Sequence, residues 1–157
     1  MSKLGLVAIR RGALGGAYIT ADSGQTIRDA MLDLFHIGSV NSGELTEARI
    51  ILGEAVVRLA CQRCTPSDIA ILQANVAAGE LAIAQGDDEG RIRANIDFYH
   101  LLGGASKNHV LTLVMDAIGA AITQFVRTAG LLPPGDVMPI RYEILDCLRS
   151  RNAERAA

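Results

Sequence analysis

Two periodicities divide the chain. From Leu6 to Thr20 the apolar residues fall into two short runs, Leu6-Val7-Ala8-Ile9 leading into Arg10-Arg11, and Ala17-Tyr18-Ile19-Thr20. Between them lies Gly12-Ala13-Leu14-Gly15-Gly16. Two such runs around a glycine-rich turn predict a short β-hairpin. After Asp22 the spacing becomes helical. Ile27, Ala30, Met31, Leu34 and Phe35 recur at three and four residues and stop before Gly38, which predicts a first helix. A long helix from about Ser42 to Cys64 follows. Thr65-Pro66-Ser67-Asp68 combines a hydroxyl cap, a proline at the first helical position and an acid soon after, so a third helix should run from there to Gln85. Gly86-Asp87-Asp88 breaks the pattern. A fourth helix is predicted over about Glu89–Leu102, ended by Gly103-Gly104, and a fifth from Asn108 to about Thr128. Leu131 to Pro139 holds three prolines and a glycine, a loop signal. A last helix is expected from Val137 or Ile140 to Arg155. The fold class is therefore all-α: an antiparallel bundle of about six helices preceded by a short β-hairpin, without internal repeats.

Composition sharpens this picture. The chain has 157 residues, half of them hydrophobic, with 4% aromatic residues and no Trp. That suits one domain with a small appendage, built on Ala, Leu and Ile side chains that let helices pack closely. The formal net charge is −2. Residues 1–19 carry Lys3, Arg10 and Arg11 and no acid, so this tip is +3 and the remainder −5. A basic tip on an acidic body fits a small nucleic-acid contact attached to something else. Three cysteines, Cys61, Cys64 and Cys147, are an odd count, and the start does not read as a secretory signal. Both point to a reducing, cytoplasmic setting. Val110–Val126 is the most membrane-like stretch, but it is short for a span and contains Asp116 and Gln124; it reads as a buried helix.

Several segments, in order, resemble the GntR family of transcriptional regulators with an FCD effector domain. Gly5-Leu6-Val7, Arg10-Arg11-Gly12 and Gly15-Gly16-Ala17-Tyr18-Ile19 are similar to the wing of that family's winged helix-turn-helix. Glu47-Ala48-Arg49 with Leu52, then Leu59-Ala60 and Thr65-Pro66-Ser67-Asp68, resemble the opening FCD helices. Asn95-Ile96-Asp97-Phe98-Tyr99 followed by Ala105-Ser106-Lys107-Asn108 resembles the central signature. Ile144-Leu145-Asp146 and Arg149-Ser150-Arg151-Asn152-Ala153-Glu154 resemble a late helix. The resemblance implies a remnant wing over 1–21 and an FCD-like effector domain over 22–157. It also implies a cytoplasmic homodimeric regulator, not an enzyme, that senses a small organic acid. The alternative is a stand-alone ligand-binding or dimerisation module without DNA binding.

Departures from the family matter for chemistry. Little precedes Leu6 in place of three DNA-binding helices, so DNA binding by this chain is expected to be weak, with Arg10 and Arg11 as its DNA contacts. Many members hold a divalent metal with an Asp, a His four residues later and two further His; here the matching positions are Asn95, Tyr99 and Arg141, and Gly53 stands where Glu is usual. An amide, a phenol and a guanidinium are a poor zinc set, so no metal cofactor is expected. In its place, Arg49, Asn95, Tyr99 and Arg141 are expected to surround the carboxylate of an organic acid, which arginine pairs with bidentately. His100 lies one residue past Tyr99, roughly 100° further round the helix, and is expected to face away from that pocket. His36 and His109 lie at helix ends. Cys61-Gln62-Arg63-Cys64 lacks a second pair and reads as core. Gly12–Gly16 lacks the ending of a phosphate loop.

Overall fold

A computed structural model of the chain describes residues 7–10, 16–19, 23–130 and 137–155. Before the first helix, β1 (Val7–Arg10) and β2 (Gly16–Ile19) pair antiparallel, with Val7 opposite Ile19 and Arg10 opposite Gly16. Residues 11–15, read above as the turn, lie outside the described residues, and Arg11 with them. Six helices follow among the described residues: α1 (Ser23–His36), α2 (Ser42–Arg63), α3 (Pro66–Gln85), α4 (Asp88–Ala105), α5 (His109–Thr128) and α6 (Met138–Ser150).

Side-chain caps set the starts of α2 to α5. Asn41 accepts from Glu44 N while Glu44 reaches back to Asn41 N, and Thr65 and Asp68 make the same reciprocal box at α3, satisfying amides the helix leaves free. Asp87 and Asn108 cap α4 and α5. Gly86, at φ 68°, closes α3 in the left-handed conformation, and the short link to α4 folds these two helices back on each other.

The core has two parts. One joins α2, α3, α4 and α6 through Val56, Ala60, Leu72, Val76, Phe98, Leu102, Leu145 and Leu148, with Met115 of α5. The other joins α1, α2 and α5 through Leu45, Ile118, Ala121 and the partly buried Met31, Leu32 and Phe35. Leu52 packs against both. The apolar α5, long enough to cross a membrane, here packs against α1, α2 and α4.

Two helix ends differ from expectation. Gly103-Gly104 does not stop α4, which runs to Ala105. A Cβ on Gly103 would lie 3.1 Å from Thr112 Cα, so this glycine serves close approach of α4 to α5. Because the obstacle is backbone, Gly103→Ala should cost on the order of 1–2 kcal/mol by overpacking, read as a lower denaturant midpoint with unchanged slope. The last helix ends at Ser150, not Arg155, because Arg151 turns left-handed at φ 56°. Its guanidinium then donates to Cys61 O at 3.0 Å and Cys64 O at 2.7 Å, tying α6 to the end of α2.

The α3 box also receives Lys107, whose Nζ lies 2.6 Å from Asp68 Oδ2. Burial pushes the Asp68 carboxyl up, but hydrogen bonds from Lys107 and Thr65 and the Lys107 charge outweigh it, so it sits below the usual value of 3.8. A depressed carboxyl stabilises the fold above its unfolded pKa, and that contribution is lost as pH falls through the folded value. Asp68→Asn should therefore be less stable than wild type at neutral pH. The gap should close below about pH 4, as followed by denaturation midpoints across the acid range.

Candidate functional site

A cavity of about 580 Å³ opens between α1, α2, α4 and α5. Its polar wall starts on α2. Leu45, Leu52 and Val56 form the inward stripe of that helix, and Arg49 sits four residues after Leu45 in the same stripe. A guanidinium thus occupies a position whose spacing calls for an apolar side chain. It lies over the Tyr99 ring, 5.1 Å from the centroid, and its Nη1 donates to Tyr99 Oη at 2.5 Å. Arg49 Nε is buried and has no hydrogen-bond partner.

On α4, Asn95 and Tyr99 are four residues apart on one face, and both line the cavity with Arg49. Arg141 repeats the Arg49 device on α6, where it begins the stripe of buried Leu145 and Leu148. It is 3% exposed, lies 4.9 Å from the centroid of the Phe98 ring, and donates through Nη2 to Asn95 Oδ1 at 2.5 Å. Burial lowers its pKa, partly opposed by Tyr99. Among the described residues no carboxylate forms an ion pair with Arg49 or Arg141. The four expected site residues are therefore brought together, with one change. Arg141 does not line the cavity; it stands behind Asn95 and reaches the pocket only through it.

The expectation for His100 is overturned. It lines the cavity, with Nδ1 2.9 Å from Asp116 Oδ2 on α5. The rotation away from Tyr99 is real, but it turns His100 toward α5, and the cavity is wide enough to span both faces of α4. Asp116 was missed as a site residue. Its signal was present as the acid inside the apolar run of α5. The rest of the wall is largely apolar, including Leu32, Ile92, Ile96, Met115, Ile122 and Val126.

The metal implied by the resemblance does not fit these residues. Asn95 Oδ1 is taken by Arg141, Tyr99 Oη accepts from Arg49, and a guanidinium is no ligand. Among the described residues no group of three His, Cys, Asp or Glu is placed to hold a metal ion. Cys61, Cys64 and Cys147 are free and buried. Burial, then neighbouring Cys147 and Cys64, pushes the Cys61 thiol up, which suits a core position and not a reactive thiolate.

The FCD domain family matches residues 44–157. Among solved structures the fold is similar to Streptococcus agalactiae GntR, with TM-score 0.62 and 17% identity over 98% of this chain and 69% of that one. It is also similar to E. coli McbR/YncC, with TM-score 0.63 and 19% identity over 84% of this chain and 72% of that one. No curated protein matches it in sequence. The domain match spans most of the chain and includes Arg49, Asn95, Tyr99 and Arg141, and the chain belongs to the FCD domain family.

Proposed function

We propose that the cavity is the effector site of this regulator and that it takes a small organic acid with an apolar body. The observation that carries this reading is the direction of the hydrogen bonds. Arginine has donors and no acceptor. Because Arg141 donates to Asn95 Oδ1, the Asn95 amide is left with its NH₂ to offer. Because Arg49 donates to Tyr99 Oη, the phenol is left with its O–H to offer. Among the described residues Arg49 Nε–H has no acceptor. Asn95, Tyr99 and Arg49 thus offer donors on one wall, and two cations stand in or behind it without a carboxylate of their own. A buried donor left unsatisfied costs about 1–3 kcal/mol, which an arriving carboxylate recovers. The apolar residues around that wall favour a hydrocarbon or aromatic body on the acid.

In this reading the acid biases a dimeric, cytoplasmic regulator between two conformations that differ in DNA affinity. The β1–β2 pair is the wing, and Arg10 and Arg11 contact phosphates without reading bases. Thermal denaturation of the full chain against a panel of organic acids, with benzoate and octanoate included, is the test. A concentration-dependent rise in Tm for carboxylates, absent for the matching amides or alcohols, is expected. Equal shifts for acid and amide would reject carboxylate recognition.

A further inference from the structure

Arg141 is the most unusual residue of the bundle. A charge is almost never fully buried unless it is paired, yet this one is 3% exposed with an amide, not an acid, as its hydrogen-bond partner. The fold is shaped to receive it. On one side it lies over the Phe98 ring. On the other side α3 carries Gly79, where an added Cβ would lie 3.3 Å from Arg141 Nη1 and 3.1 Å from Met138 Cε. Glycine at this point of α3 gives room to the guanidinium and to the start of α6. Asn95 and Arg141 are also two of the positions at which the family resemblance implies metal ligands, and the residues present do not fit a metal.

We propose that the Arg141 guanidinium is a built-in cation standing where a divalent metal would, so that the cavity recognises an anion without any metal. This rests on the anion-binding reading above. Arg141 acts as a positioning residue. It fixes the Asn95 amide with its NH₂ toward the cavity and supplies a fixed positive charge behind it, while Arg49 makes the direct contact. A metal would draw in an Asp or His lone pair at the same positions; the guanidinium demands an acceptor and leaves donors facing the ligand.

The test has two arms on the full chain. In the first, Zn²⁺ alone is titrated in competition with a chromophoric chelator. Wild type should not compete. The triple variant Asn95→Asp, Tyr99→His, Arg141→His should form a tight one-to-one complex. A stoichiometric wild-type complex, or a folded triple variant with no gain in Zn²⁺ affinity, would overturn the proposal. In the second, Tm is followed with octanoate, with and without EDTA. The wild-type shift should be unchanged by EDTA, and Asn95→Asp alone should lose it. That near-isosteric change gives Arg141 an internal carboxylate and removes the NH₂ donor, and it guards against a triple variant that does not fold. A shift abolished by EDTA, or retained in full by Asn95→Asp, would count against the built-in cation. If no acid shifts wild type, the effector reading fails, while the Zn²⁺ arm still decides what Arg141 replaces.

Discussion

Phe98→Ala is expected to destabilise the fold by about 3–5 kcal/mol, the range for removing a fully buried aromatic side chain. Phe98 is 1% exposed and packs in the larger core among α2, α3, α4 and α6. Two further contacts put it at the upper part of that range. Its ring meets Tyr99 edge to face at 5.8 Å between centroids, and it is the shelf beneath the Arg141 guanidinium. Removing the ring opens a cavity and also leaves a buried cation without its cation–π partner, a contact worth roughly 2 kcal/mol where it is desolvated. The measurement is a chemical-denaturation curve at neutral pH, with Phe98→Leu as control. Leu refills most of the volume but gives Arg141 no π face, so it should fall between wild type and Ala. A Phe98→Ala loss below about 1.5 kcal/mol, the upper limit for a conservative core swap, would mean that the side chain does not hold the position described.

Much of the bundle was legible because local signals and packing agree. The Thr65-Pro66-Ser67-Asp68 start, the Gly86 stop and the apolar spacing of α1 all reappear where the pattern put them. The errors share one cause. Gly103-Gly104 carries the local signature of a stop, but whether it stops a helix depends on what packs there, and Thr112 is nine residues further on. Arg151 carries no breaking signal. It leaves the helix in a left-handed turn and its guanidinium grips carbonyls ninety and eighty-seven residues away.

The site divides in the same way. Arg49, Asn95, Tyr99 and Arg141 were all picked out by the family resemblance, and of these only Asn95 with Tyr99 also carried a local signal, a spacing of four. Family resemblance supplied the reason to join them, since no local rule connects α2, α4 and α6. How deep each side chain lies could not be read from spacing. That Arg141 stands behind Asn95, and that the cavity extends round α4 to His100 and Asp116, follows from how the helices pack around α4, a tertiary property that spacing does not carry.

Arg49→Ala is expected to weaken binding of a carboxylate effector by about 2–3 kcal/mol, the loss of a charge-assisted contact in a partly buried site. That corresponds to roughly 30- to 150-fold in Kd. Arg49 is the residue through which such a ligand would be felt directly: it lines the cavity, carries the unpartnered Nε–H and holds the Tyr99 hydroxyl. Truncation removes the cation and also frees Tyr99 Oη to act as an acceptor, which is the wrong polarity for an anion. Arg49→Lys separates these effects. Lysine keeps the charge but not the planar fork, and it cannot at once hold Tyr99 and reach an anion with the geometry of Nη1 and Nε. Its loss should be intermediate. Among the described residues Arg49 has no acidic partner, so neither substitution strands a carboxylate, and the unliganded fold should change little in Tm. The readout is calorimetric titration of wild type, Arg49→Ala and Arg49→Lys with the acid that gives the largest thermal shift. Equal affinity in all three, with unliganded stability unchanged, would mean that the donor wall on α2 and α4 is structural and that the acid binds elsewhere.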